Sequence, residues 1–501
     1  MVSAAANRAT GSLHLTRWSL HMIRVLPGPV RAATVSVALF ALGCAAGPFP
    51  LPDLGGLYNQ AAQAGDETRN PVIVIPGILG SRLRDHETGR IVWGAFLGTY
   101  ADPRTPDGAR LIALPMAEGR ALGELRDGVE PAGALDRLRV SLLGLPIEQH
   151  AYLYVLRALG VGGYRDADLG GSGQLDYGAR HFTCFQFAYD WRRDNAENAR
   201  RLHQFILEKR AYVRGELKKR YGIEKTDIKF DIVAHSMGGL LARYYLRYGP
   251  AALPDDGSLP PLTWEGARHV ERAVLIATPN AGAAQSLVEL VEGTQLAFVL
   301  PRYQPVVVGT MPALYQLLPR SRHGAVVEER PGDSPVPLDV FDPAVWERLG
   351  WGLAARDQDR LLQWLLPDLA DDGARRRVAL DHLGKALARA KQFHAALDVP
   401  ASPPPGLALH LFAGDAKPTP AVLAVDPATG KLTVRATAPG DGTVLRTSAV
   451  LDERVGRGWA PGLVSPIAWT DVTFLFSDHL ALTKDPAFTD NVLFRLLESR
   501  R

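Results

Sequence analysis

The chain has 501 residues, of which 47% are hydrophobic, enough to bury a large core, and its length allows two or three domains. Its formal charge of +3 misleads: residues 1–43 hold four arginines and no acid, so the remainder carries −1. That balance excludes the global basic field a nucleic-acid partner would need. The two cysteines, Cys44 and Cys184, allow no disulfide framework, and no metal-ligand spacing or cofactor motif is present.

In chain order, Arg24 and Arg31 precede an apolar stretch, residues 32–43, which has signal-peptide length and is too short to span a bilayer comfortably. Residues 1–43 are therefore expected to be a leader, with Met22 an alternative start, and the mature protein to be exported. Leu42-Gly43-Cys44 resembles a bacterial lipoprotein processing box, which would attach lipid to Cys44. Ala41 stands where leucine is usual, so ordinary cleavage nearby is the alternative. Residues 44–69 read as a linker and 70–501 as the folded domain.

Pro71-Val-Ile-Val-Ile75 is a short β-branched run suited to a strand covered on both faces. It ends in the loop Pro76-Gly-Ile-Leu-Gly-Ser81. Residues 185–192 predict a second strand, followed by an amphipathic helix over about 195–221. Cys184, beside that strand in an apolar run, reads as a buried structural thiol. Residues 229–234 predict a third strand, 270–277 a fourth, 407–413 a fifth and 474–476 a last. Strands alternating with helices imply a mostly parallel α/β sheet, with ligands at the carboxyl ends of its strands.

Two insertions interrupt the pattern. Residues 84–180 show no clear strand and a helical segment around 143–159. Residues 284–400 hold loops rich in proline and glycine, then helices, one of which (378–393) repeats apolar residues at helical spacing and is expected to pack on the core. Insertions of this size usually become lids or caps over a site.

Chemistry concentrates in Asp231-Ile-Val-Ala-His-Ser236-Met-Gly-Gly-Leu240. An apolar strand, a serine between small residues and a helix-forming run make a nucleophile elbow, the sharp turn that lifts a serine hydroxyl above an α/β-hydrolase sheet. Ala234 stands where such elbows commonly have glycine. A serine nucleophile needs a base, and the base an orienting carboxylate, in the chain order Ser, Asp or Glu, His. Six histidines follow residue 236. His269, His382 and His394 read as structural, and His410 sits inside a strand; His479, on a loop after the last strand, is the expected base. Asp441, in the glycine turn Pro439-Gly-Asp-Gly-Thr-Val444, and Asp415, at the end of a strand, are equal candidates for the acid. The oxyanion hole is expected from the N–H groups of Met237 and Ile78.

An ordered set of segments resembles the lecithin:cholesterol acyltransferase family, which includes phospholipid:diacylglycerol acyltransferases and lysosomal phospholipase A. The segments are residues 71–81, Leu125-Arg-Asp-Gly-Val129, Tyr189-Asp-Trp-Arg192, Ala234-His-Ser-Met-Gly238, Thr278-Pro279, Gly440-Asp-Gly-Thr-Val444 and the His479 segment. The resemblance implies an α/β-hydrolase fold with membrane-contacting and lid insertions, and a triad of Ser236, Asp441 and His479 in preference to Asp415. It implies lipid esters as substrates, cleaved or transferred through an acyl-serine, and a membrane or lipoprotein surface as partner. The chain departs from the animal enzymes in lacking their disulfides, and in residues 300–400. An esterase of soluble esters and a non-catalytic lipid-binding lipoprotein are the alternatives.

Overall fold

A computed structural model describes residues 52–63, 67–94, 100–135, 137–142, 145–150, 153–171, 181–225, 227–295, 301–330, 332–458 and 460–499. Cys44 and the leader lie outside the described residues. Among those described, no helix is long and apolar enough to cross a membrane.

Six parallel strands form the central sheet: β1 (Val72–Ile75), β2 (Cys184–Gln186), β3 (Phe230–His235), β4 (Val270–Ile276), β5 (Ala408–Gly414) and β6 (Asp471–Leu475). Their spatial order is β6-β5-β4-β3-β1-β2. Every residue of β1 and β3 is buried, which is why β1 is continuously apolar and β3 largely so, with Asp231 and His235 its buried polar residues. Three helices flank the sheet strands in sequence: α1 (Asn195–Tyr221), α2 (Met237–Tyr248) and α3 (Ala284–Glu292). Asp194 caps α1 by accepting from the Ala196 N–H, and Gly222 closes it in the left-handed conformation. Register sets Ile75 beside Ala234, His235 beside Ile276, and Gly414 beside Leu475, so the loops after these strands gather at one edge. With the turn that joins β3 to α2, this is the α/β-hydrolase fold.

The second strand is shorter than the sequence predicts. It stops at Gln186, because Asp190 and Arg192 are fully buried and pair at 2.8 Å, and the Arg193 N–H bonds the Asp190 carbonyl to close a turn. Residues 84–180 are not strand-free. Ser81–Asp85 is the middle strand of a small antiparallel sheet with Ile91–Trp93 and Val129–Ala134, and Arg137–Leu142 pairs with Leu145–His150. The expected helix over 143–159 is confined to Leu153–Val161, since Pro146, which lacks an N–H and clashes inside a helix, falls in the preceding strand. An antiparallel ribbon not foreseen, Lys417–Val425 with Leu432–Gly440, follows β5 and ends at Asp441.

The helix expected at 378–393 is α4 (Asp372–Asp398), and it packs on the core. Ala379, Leu383, Ala386, Leu387, Ala390 and Phe393 are completely buried. His382 and His394 lie on that face, bonded through Nε2 to the carbonyls of Thr310 (3.0 Å) and Gln316 (2.7 Å). Burial pushes His382 down to about 4 and His394 to about 3. The unfolded chain takes up these protons near pH 6.5, whereas the folded chain does not until its lower values. Their contribution to stability is therefore whole above pH 6.5 and is lost as pH falls toward 4, at roughly 1.4 kcal/mol per pH unit for each histidine. Calorimetric Tm should drop over that window, and His394→Gln, which keeps a donor to Gln316, should flatten the drop.

Candidate active site

Ser236 sits at the junction of β3 and α2 with φ 52° and ψ −125°, a backbone conformation that a side-chain-bearing residue rarely adopts. Its N–H is held by the Ile276 carbonyl at 2.8 Å, and its carbonyl accepts from Gly239 at 2.9 Å. The two glycines after Met237 are dictated by contact. A Cβ on Gly238 would meet the Pro76 carbonyl oxygen at 2.4 Å, and one on Gly239 would meet Thr278 Oγ1 at 1.9 Å. Both let α2 start tight against the ends of β1 and β4. Ala234 is buried inside the sheet, with its Ile75 partner alongside, so an alanine fits there.

The structure brings Ser236, His479 and Asp441 together. Ser236 Oγ lies 3.1 Å from His479 Nε2, and His479 Nδ1 lies 2.8 Å from Asp441 Oδ2. The His479 N–H also donates to the Asp441 carbonyl at 3.0 Å. Asp441 Oδ1 accepts from the amides of Thr443 (2.9 Å) and Val444 (2.7 Å), the work of the glycine turn. Burial alone would raise this carboxyl. The charge and hydrogen bond of His479, with those two amides, hold it below the usual carboxylate range.

Asp415 is placed elsewhere, in an ion pair with Arg446 at 3.3 Å. The neighbouring Gly414 explains the difference. A Cβ there would come within 2.7 Å of the Asp441 Cβ and 2.5 Å of the Ser477 carbonyl oxygen, so its absence lets the ribbon end and the His479 loop close on each other. His410, within β5, pairs with Asp471 at 2.7 Å, and His323 faces Glu453 at 3.4 Å.

Met237 directly follows Ser236, and Ile78 lies in the loop after β1, whose Pro76 carbonyl comes close to Gly238. Met237 opens α2, whose first-turn N–H groups have no acceptor within the helix. Ile78 belongs to the turn closed by the Gly80 N–H on the Gly77 carbonyl, in which Leu79 takes φ 63°. This loop is clamped by side chains to which sequence reasoning gave no role. Tyr189 donates its hydroxyl proton to the Pro76 carbonyl (2.9 Å), and Trp93 its indole N–H to the Leu79 carbonyl (2.9 Å). Trp191 donates to the Ser81 carbonyl at 3.2 Å. The segment Tyr189–Arg192 therefore serves the loop after β1, while Asp127 ties Arg192 and Arg193 at 2.7 Å to the first insertion.

His235 was also not anticipated. Its Nε2 lies 3.1 Å from the His479 carbonyl, which can only accept, so this nitrogen carries the proton. Burial, reinforced by His479, pushes His235 down to about 3 and keeps it neutral beside the base. The thiol of Cys184 is fully buried, and burial raises its pKa, which suits a structural role.

Comparison with known proteins adds to this geometry. No curated protein matches the chain. Among solved structures it is similar to one reported as "The crystal structure of Tle4-Tli4 complex", at 16% identity and a TM-score of 0.53, covering 86% of this chain and 98% of that one. At that identity the likeness is one of fold. "Structure of EstA from Clostridium botulinum" also matches, at 14% identity over 87% of this chain and 88% of that one, with a TM-score of only 0.31. Residues 176–330 match the family model described as "Lecithin:cholesterol acyltransferase". The match supports an acyltransferase or hydrolase that acts on lipids. That segment, similar to the lecithin:cholesterol acyltransferase family, contains β3, the Ser236 turn and α2.

Proposed function

We propose that the protein cleaves lipid esters through an acyl-Ser236 intermediate and passes the acyl group to water or to an alcohol. The observation that carries this reading is the continuous hydrogen-bonded chain from Ser236 Oγ through His479 to Asp441 at the carboxyl edge of the sheet. Ser236 Oγ attacks the ester carbonyl while His479 Nε2 takes its proton. Asp441 holds the Nδ1–H tautomer and stabilises the imidazolium that forms. Ile78 and Met237 N–H groups receive the developing oxyanion. The C–O bond to the leaving alcohol then breaks as His479 returns the proton to it. Water or a second alcohol, deprotonated by His479, releases the acyl group and restores Ser236.

A lipid surface as the site of action is supported by apolar residues beside the base. Phe476 is 85% exposed and Leu480 44% exposed, flanking His479 on its loop. Large apolar side chains left in water next to a reaction centre suit an interface that covers them. Export and lipidation at Cys44 would place the protein at such a surface.

Incubation with acyl-labelled phospholipid, with and without a sterol or diacylglycerol, tests the reading. Free fatty acid is expected in both cases, with a new neutral ester if an alcohol is accepted. Cleavage of short-chain soluble esters while phospholipid stays intact would overturn the lipid assignment.

A further inference from the structure

A cleft of about 650 Å³, room enough for a small molecule, opens where β3 to β6 begin, at the edge of the sheet opposite Ser236. His410 lines it, four residues before the Gly414 that approaches Asp441, so about 13 Å of strand separates the cleft from the catalytic loops. His410 is only 5% exposed, and its Nδ1 lies 2.7 Å from Asp471 Oδ2. Against burial, which alone would raise it, the hydrogen bonds of Arg495 and His410 hold the Asp471 carboxyl below the usual carboxylate range. A carboxylate only accepts, so Nδ1 carries the proton and Nε2 presents a lone pair. Burial also keeps the ring neutral, over the opposing pull of Asp471. Yet Nε2 is buried with no hydrogen-bond partner among the described residues, a costly and uncommon state for a native protein.

What completes Nε2 must donate a proton. A carboxylate or a sulfate has none to give, and an ammonium group would meet Lys229, Arg272 and Arg495 in the same cleft. Arg272 and Arg495 in turn face carboxylates, Glu271 at 3.6 Å and Asp471 at 3.0 Å, so the wall offers donors and acceptors side by side. A neutral hydroxyl suits both, since it donates and accepts at once. Phe494, which also lines the cleft, is 51% exposed and supplies an apolar face. We propose that this cleft binds a sugar, one of whose hydroxyls donates to His410 Nε2 while the C–H face of its ring lies against Phe494. The site is separate from Ser236 and does not depend on the acyl-serine reading.

Calorimetric titration of the full chain with glucose, galactose, N-acetylglucosamine and maltose, and with sodium sulfate as the anion control, tests this without requiring turnover. At least one sugar is expected to bind with a Kd of ~1 mM or tighter, and sulfate more weakly. Phe494→Ala changes an exposed side chain, so its fold should survive, as circular dichroism can check. It should weaken the bound sugar at least ~10-fold while ester turnover stays at the wild-type rate. His410→Phe removes the acceptor and should weaken binding by a similar factor; if it does not fold, Phe494→Ala decides alone. Absence of binding by all four sugars, sulfate binding as tightly as the best of them, or an affinity unchanged in either folded variant would overturn the proposal.

Discussion

Ser236→Ala should lower ester turnover by about 10⁶-fold while leaving the fold intact, the scale seen when a serine hydrolase loses its nucleophile. The substitution removes one oxygen, bonded among the described residues to His479 Nε2 at 3.1 Å, so no core packing is lost. Alanine also retains the strained φ of 52° no worse than serine does. His479 and Asp441 would remain paired, and residual cleavage would come from the oxyanion amides and substrate binding alone. Thermal denaturation run beside the kinetics should show a Tm close to that of the wild type. A turnover loss accompanied by a collapsed Tm would instead mean that Ser236 supports the fold.

Asp441→Asn should cost about 10⁴-fold in kcat, because an amide can donate to His479 Nδ1 and so stabilise the wrong tautomer. Asp415→Asn should stay within about threefold, since an exposed ion pair such as that with Arg446 contributes little. The two variants make a matched pair of the same chemical change on neighbouring loops. If Asp415→Asn were the damaging one, His479 would have to leave Asp441 during the reaction.

The strands of the central sheet were legible because parallel strands covered on both faces leave largely apolar runs, unbroken and β-branched in residues 72–75 and interrupted only by Asp231 in 230–234. Ser236 and His479 were legible for a related reason, as each follows a predicted strand at the edge where the loops gather. Asp441 was not separable from Asp415 by residue type, since both end a strand and face a turn. What distinguishes them is three-dimensional: the close approach allowed at Gly414 and the two amides aimed at Asp441 Oδ1. The ribbon 417–440 left little sequence signal because its second strand is mostly exposed, so apolar residues do not mark it. The clamps on the Ile78 loop were hidden for a different reason. Trp93, Tyr189 and Trp191 act through single polar atoms reaching carbonyls far along the chain, and no local spacing announces such contacts.

The most direct test is mass spectrometry of the intact chain and its peptides after brief reaction with a lipid ester and acid quenching. One acyl chain should be found esterified to the peptide that contains Ser236, and none on the same peptide from His479→Ala. Consumption of the ester with no adduct on Ser236 at any quench time, together with failure of a fluorophosphonate to label that serine in the folded protein, would contradict the acyl-serine mechanism.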